Sequence, residues 1–92
     1  FHQSLNKLKD VYCDHIHSIQ GTGLLAAIIF KDKDNNPLIS LCDKVSELCM
    51  QRGLLVVHTG RESIKLAPPL SINKEALMEG LLVLDEAIAD SL

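Results

Sequence analysis

Tryptophan is absent from these 92 residues, and the aromatic complement is one tyrosine and two phenylalanines. So few flat rings leave little for stacking bases, on which binding of single-stranded nucleic acid depends. An excess of positive charge is missing too: the net charge is −3 and the pI about 5.7. Binding a phosphate backbone calls for a concentrated basic patch, so no nucleic-acid partner is expected. Cysteine is scarce and odd in number. Cys13, Cys42 and Cys49 cannot all pair within one chain and match no disulfide scaffold, which points to a reducing, cytoplasmic setting. Long hydrophobic runs are also lacking. The longest uncharged apolar stretch, Gly21 to Phe30, is far short of the roughly 20 residues that span a bilayer, and no signal-peptide pattern opens the chain, so no membrane partner is expected.

What is present is ordinary globular material, 47% hydrophobic and 23% charged, without repeats or low-complexity linkers. The length suits a single domain. A domain of this size buries only about 60 to 65% of its unfolded surface, so its core is thin and an apolar face would want a partner. Phe1, Leu5 and a proline-ended strand around Lys65 are the expected contributors to such a face. The first residue is phenylalanine, as expected of a piece of a longer chain.

Phe1, Leu5, Leu8 and Tyr12 recur at helical intervals and predict a first helix ending near Asp14. His15 to Gln20 reads as extended. After Gly21-Thr22-Gly23, Leu24 to Phe30 reads as a strand whose near-continuous hydrophobicity predicts a central position with both faces buried. Lys31 to Pro37 is a polar turn. Leu38 to Arg52 carries apolar residues on an i, i+3, i+4, i+7 ladder and is stopped by Gly53. Leu54 to His58 and Glu62 to Ala67 read as a hairpin joined through Thr59-Gly60-Arg61, ended by Pro68-Pro69. Asn73 caps a last helix with Glu75 in its first turn and a buried stripe of Leu77, Leu81, Leu84 and Ile88. The order α-β-β-α-β-β-α predicts an α+β domain, a small antiparallel or mixed sheet of three to four strands covered by helices. A crossover through the second helix would leave room for the Lys65 strand between its two flanking strands.

Several residue groups invite a chemical role. Cys13, His15 and His17 alternate as three zinc ligands on a strand would, but no fourth ligand is in sight, and they read as boundary residues. Cys42 and Cys49, on one helical face, read as core. His58 has no acid or nucleophile spaced to orient it as a base, and reads as facing solvent or a partner. Gly21-Thr22-Gly23 precedes a strand, which removes the helix N-terminus that a dinucleotide phosphate would need. Gly60 is expected at positive φ, and Arg61-Glu62 in a solvated loop. Lys65 stands apart: if Ile64 and Leu66 pack inward, alternation sends its charge to the other face of an apolar strand.

The stretches IQGTGLLAAIIF, CMQRGLLVVHTG, SIKLAPPLSI and NKEALMEGLLVLDEAI, in this order, resemble the C-terminal small domain of class III aminotransferases of fold type I, which depend on pyridoxal phosphate. The resemblance covers nearly the whole chain. It implies a longer enzyme, usually a homodimer, that transfers an amino group between an amino or ω-amino donor and an oxo acid. Its cofactor and Schiff-base lysine belong to a large domain of the same chain, so the resemblance implies no catalytic, cofactor-binding or metal-binding residue here and no activity for this segment alone. It does imply a substrate-binding role for Lys65, where many members carry arginine that meets a substrate carboxylate or an active-site glutamate. Lysine lacks the two-pronged grip of arginine. Gln20 likewise stands where arginine is common. The alternative is a freestanding ligand-binding or regulatory module of ferredoxin-like topology.

Overall fold

The computed structural model describes residues 1–54, 56–58, 61–68 and 71–92. These form three helices and four strands in the order expected: α1 (His2–Val11), β1 (Ile16–Gln20), β2 (Ala26–Phe30), α2 (Ile39–Gln51), β3 (Val57–His58), β4 (Ser63–Leu66) and α3 (Lys74–Ser91). The sheet order is β1-β2-β4-β3, and all three neighbouring pairs are antiparallel. Of the two sheet types expected, it is the antiparallel one. Strand β4 occupies the slot between β2 and β3, as the crossover argument anticipated.

Local chemistry sets the boundaries. Helix α1 ends before Asp14, because the Tyr12 carbonyl accepts from the N–H groups of His15 (2.9 Å) and Ile16 (2.8 Å) and turns the chain into β1. In the polar turn, the Asp32 carboxylate accepts from the backbone N–H groups of Asp34 and Asn36, both at 2.9 Å, while Asn35 takes the left-handed conformation at φ 66°. Helix α2 closes with Gly53 at φ 86°; Gly53 N–H reaches the Met50 carbonyl (3.2 Å) and Leu54 N–H the Cys49 carbonyl (2.8 Å). That double bond is the Schellman arrangement, which only a residue without Cβ adopts freely. Helix α3 opens where expected, the Asn73 side chain accepting from Ala76 N–H at 2.7 Å.

Burial follows the strand period. Ala26, Ile28, Phe30, Ile64 and Leu66 point to one face and are buried there with Ile16 against Leu5 and Leu8 of α1, Cys42, Val45 and Cys49 of α2, and Leu81, Leu84, Ala87 and Ile88 of α3. Strand β2 is central as expected, but its second face is only half-buried, through Ala27 and Ile29. Among the described residues no helix covers that side. Leu5, expected at an exposed apolar face, is instead completely buried under the helices, and Phe1 is partly buried against the same core. Helical spacing places Leu5 with Leu8 on the inner stripe, so α1 contributes packing rather than a free patch. The expected positive φ of Gly60 and the role of Pro69 lie outside the described residues.

Tyr12 ties the end of α1 to α3. Its hydroxyl donates to the Asp85 carboxylate at 2.5 Å, and that bond, with burial and the negative charge of Asp85 and Asp90, pushes the phenol up to about 12 from its ordinary 10.0. A raised folded pKa means that the contribution is complete below about pH 10 and is lost as pH rises toward 12. The expected result is that Tyr12→Phe lowers stability at neutral pH by about 1 kcal/mol and that the gap between parent and variant closes from about pH 10 to about pH 12. Denaturant melts across that range check it; a gap independent of pH contradicts it.

Gly21 is the tightest backbone position. It sits at φ 115°, and a Cβ added there would overlap the Leu25 carbonyl oxygen. The obstacle is backbone that also accommodates the Leu25 N–H to Thr22 carbonyl bond of 3.0 Å, so it cannot simply swing away. Gly21→Ala is expected to destabilise by about 2 kcal/mol, whereas Gly23→Ala, with nothing within 4 Å of the new methyl, carries only the strain of its φ of 59°. Thermal melts of the two variants check the ranking.

Candidate functional site

Lys65 lies in the middle of the uncovered sheet face. Its neighbours along β4, Ile64 (0% exposed) and Leu66 (5%), are pulled to the helix side, so alternation sends the lysine outward. Strand β4 is paired on both edges, and the register sets Lys65 directly opposite Ala27 of β2 and Val57 of β3. Ala27 is in turn opposite Gln20 of β1. One row therefore crosses the sheet in the order Gln20, Ala27, Lys65, Val57. Gln20, Lys65 and Val57 are exposed and Ala27 is half-buried. Among the described residues no carboxylate lies within ion-pair distance of Lys65; the ion pairs are Lys33 with Asp14, Arg52 with Asp90, and His58 with Asp43. The cross-strand neighbours of Lys65 are an alanine and a valine, and neither offers a counter-charge.

His58 does not face solvent. It is opposite Ile64, on the helix side of β3. Its side chain is 12% exposed; Nε2 meets the Asp43 carboxylate of α2, and Nδ1 lies 3.2 Å from the Ser63 carbonyl and 3.5 Å from Cys42 Sγ. The ring pins a two-residue edge strand to the helix beneath it. Alternation along Leu54 to His58 could have signalled this; the partners on α2 could not be named from spacing. Arg61 is exposed as expected, while Glu62 is half-buried and its carbonyl accepts from Phe30 N–H at 2.7 Å.

The other candidate groups separate. Cys13 and His15 lie in the turn before β1, and the register shifts between Ile16 and Ser18, so Cys13, His15 and His17 do not alternate along one strand. Among the described residues no three metal-ligating side chains converge. Cys42 and Cys49 are fully buried in the core, and burial pushes their thiols up to about 12 and about 11. A cavity of about 290 Å³ opens between β4 and α3, lined among the described residues by apolar side chains including Phe1, Leu54, Leu66, Pro68, Leu77 and Leu81.

The described residues thus present an antiparallel sheet with Lys65 at the centre of its open face. The family model described as aminotransferase class-III matches residues 1–88. The mitochondrial acetylornithine aminotransferase of Debaryomyces hansenii is 35% identical over 88 residues, covering 96% of this chain and 18% of its own. The 2-aminoadipate transaminase of Pseudomonas putida is 36% identical over 78 residues, 83% of this chain and 19% of its own. The crystal structure of acetylornithine aminotransferase from Elizabethkingia anophelis superposes with a TM-score of 0.81 at 31% identity, over 96% of this chain and 22% of that one. The chain belongs to the class III aminotransferases. It spans about a fifth of the length of the curated relatives it matches.

The thiol environments give a direct check. In the native protein at neutral pH, Cys13, which is exposed, is expected to be alkylated readily, with Cys42 and Cys49 modified only after unfolding, because the thiolate is the nucleophile and burial suppresses it. Peptide mapping after a timed pulse of iodoacetamide reads the order; fast labelling of Cys42 would contradict the packing described.

Proposed function

We propose that this chain is the C-terminal small domain of a longer pyridoxal-phosphate-dependent aminotransferase, which moves an amino group between an amino or ω-amino donor and an oxo acid. The observation that carries this is Lys65: an unmatched cation at the centre of an uncovered sheet face, in a chain of aminotransferase family that covers a fifth of its relatives. The named substrates of those relatives, acetylornithine and 2-aminoadipate, are carboxylate-bearing amino compounds. On this reading the open face is one wall of the active-site cleft, and Lys65 Nζ meets a carboxylate there, either of the substrate or of an acidic side chain across the cleft.

The described residues do not fit the cofactor itself. The apolar cavity offers no hydroxyl or basic side chain to a phosphate, and none of the lysines is buried as a Schiff-base lysine would be. Pyridoxal phosphate is therefore assigned to a large domain of the same chain, and this segment's part is to position and neutralise charge. The proposal includes a homodimeric assembly, as the family resemblance implies. It also includes a reducing compartment, which the free thiols favour; the name of the Debaryomyces relative places that protein in mitochondria, so a mitochondrial matrix serves as well as cytoplasm.

In the full-length enzyme, Lys65→Met keeps the stem and removes the charge. It is expected to leave thermal stability nearly unchanged, since the side chain is exposed, and to lower kcat/KM for carboxylate-bearing substrates by about ten- to a hundredfold, the worth of a charge-assisted hydrogen bond. Lys65→Arg is expected to restore part of the loss with altered preference, because a fork replaces a point charge. Single-turnover kinetics with several oxo acids check both. Equal rates for parent and Lys65→Met at equal stability would leave Lys65 a surface lysine.

A further inference from the structure

We infer that Gln20 is a second ligand to the carboxylate that Lys65 meets, so that the site is a split clamp of one ammonium and one carboxamide set over Ala27. The inference rests on the reading of Lys65 given above and deepens it. Gln20 and Lys65 belong to strands that are not neighbours, yet the registers of β1 with β2 and of β2 with β4 bring them into one row with Ala27 between them. Residues directly opposite in antiparallel strands share a face, so both side chains rise from the uncovered side. Two strand spacings separate their backbones, roughly 10 Å. Both side chains are long enough to lean inward over that gap and leave room for a carboxylate. The residue between them is alanine, whose methyl supplies a floor without filling the space; a larger side chain there would hold the two apart.

The chemistry of the pair is complementary. A carboxylate has two oxygens and about four acceptor positions. The Lys65 ammonium satisfies one oxygen as a strongly hydrated point charge, without the planar geometry that would engage both. The Gln20 carboxamide offers N–H donors at the other, and adds no charge that would have to be desolvated. Val57, on the far side of Lys65 in the same row and 53% exposed, is apolar and offers nothing to an anion. The direction in which Lys65 finds help is therefore toward Gln20.

The test uses the full-length enzyme with Gln20→Met, Ala27→Leu, Lys65→Met and the double variant Gln20→Met with Lys65→Met, each checked for an unchanged thermal midpoint. Gln20 is exposed at the end of its strand, so its variants are expected to fold. Gln20→Met is expected to raise KM for a dicarboxylic oxo acid about tenfold with kcat changed less than about twofold, and to have a much smaller effect once Lys65 is methionine, since the two groups act on one carboxylate. Ala27→Leu is expected to raise KM in the same way by occupying the floor. A KM effect confined to dicarboxylic substrates assigns the carboxylate to the substrate; an effect shared by analogues lacking the distal carboxylate assigns it to an acidic side chain of the enzyme. Raised KM for Lys65→Met with parental values for Gln20→Met overturns the clamp and leaves Lys65 standing, as does full additivity in the double variant. Parental kinetics for Lys65→Met overturns the reading of Lys65 itself, and the clamp with it.

Discussion

Strand β4 is hydrogen-bonded along both of its edges, and the placement of every residue discussed on the open face follows from that. With β2 on one side and β3 on the other, its four residues have a single register. Ile64 and Leu66 enforce it, since burying each is worth about 1.5 to 3 kcal/mol. A slip of one residue would expose both and drive the Lys65 ammonium into the core, where an unpaired charge is far more expensive than a lost contact. The apolar residues on either side of Lys65 thus fix where its charge emerges.

The sheet also has one dressed face and one bare one. Helices α1 and α2 cover the dressed face, and α3 packs across them, tied through its C-terminal half by the Tyr12 hydroxyl to Asp85 and by Arg52 to Asp90 at 2.6 Å. The exposed Arg52–Asp90 ion pair contributes little to stability; the shared apolar core does most of the holding. The bare face mixes polar Gln20 and Lys65 with Ala27, Ile29 and Val57. Its weakest border, the two-residue β3, is held from beneath by His58 against α2, so Val57 is presented from a strand that is anchored despite its length.

Lysine at position 65, where the family resemblance implies arginine, has a geometric consequence. An arginine can grip both oxygens of a carboxylate alone; a lysine leaves one oxygen for another donor. The neutral amide of Gln20 stands in the same row as Lys65, and on the clamp proposed above it would supply that donor from a second strand.

Much of this was legible in the chain before any coordinates. Helical spacing, Asn73, Gly53 and Pro68 marked the elements to within a few residues, and the alternation Ile64-Lys65-Leu66 alone said that the lysine would point away from the core. These are local properties, written in residues that neighbour one another. What required the tertiary structure was everything that depends on which element lies beside which: His58 turned onto Asp43 and Cys42, and Gln20 brought into line with Lys65 across Ala27. Cross-strand register is chosen by the packing of the whole sheet against its helices, so residues 45 positions apart in sequence become partners for a reason that no short stretch of sequence contains.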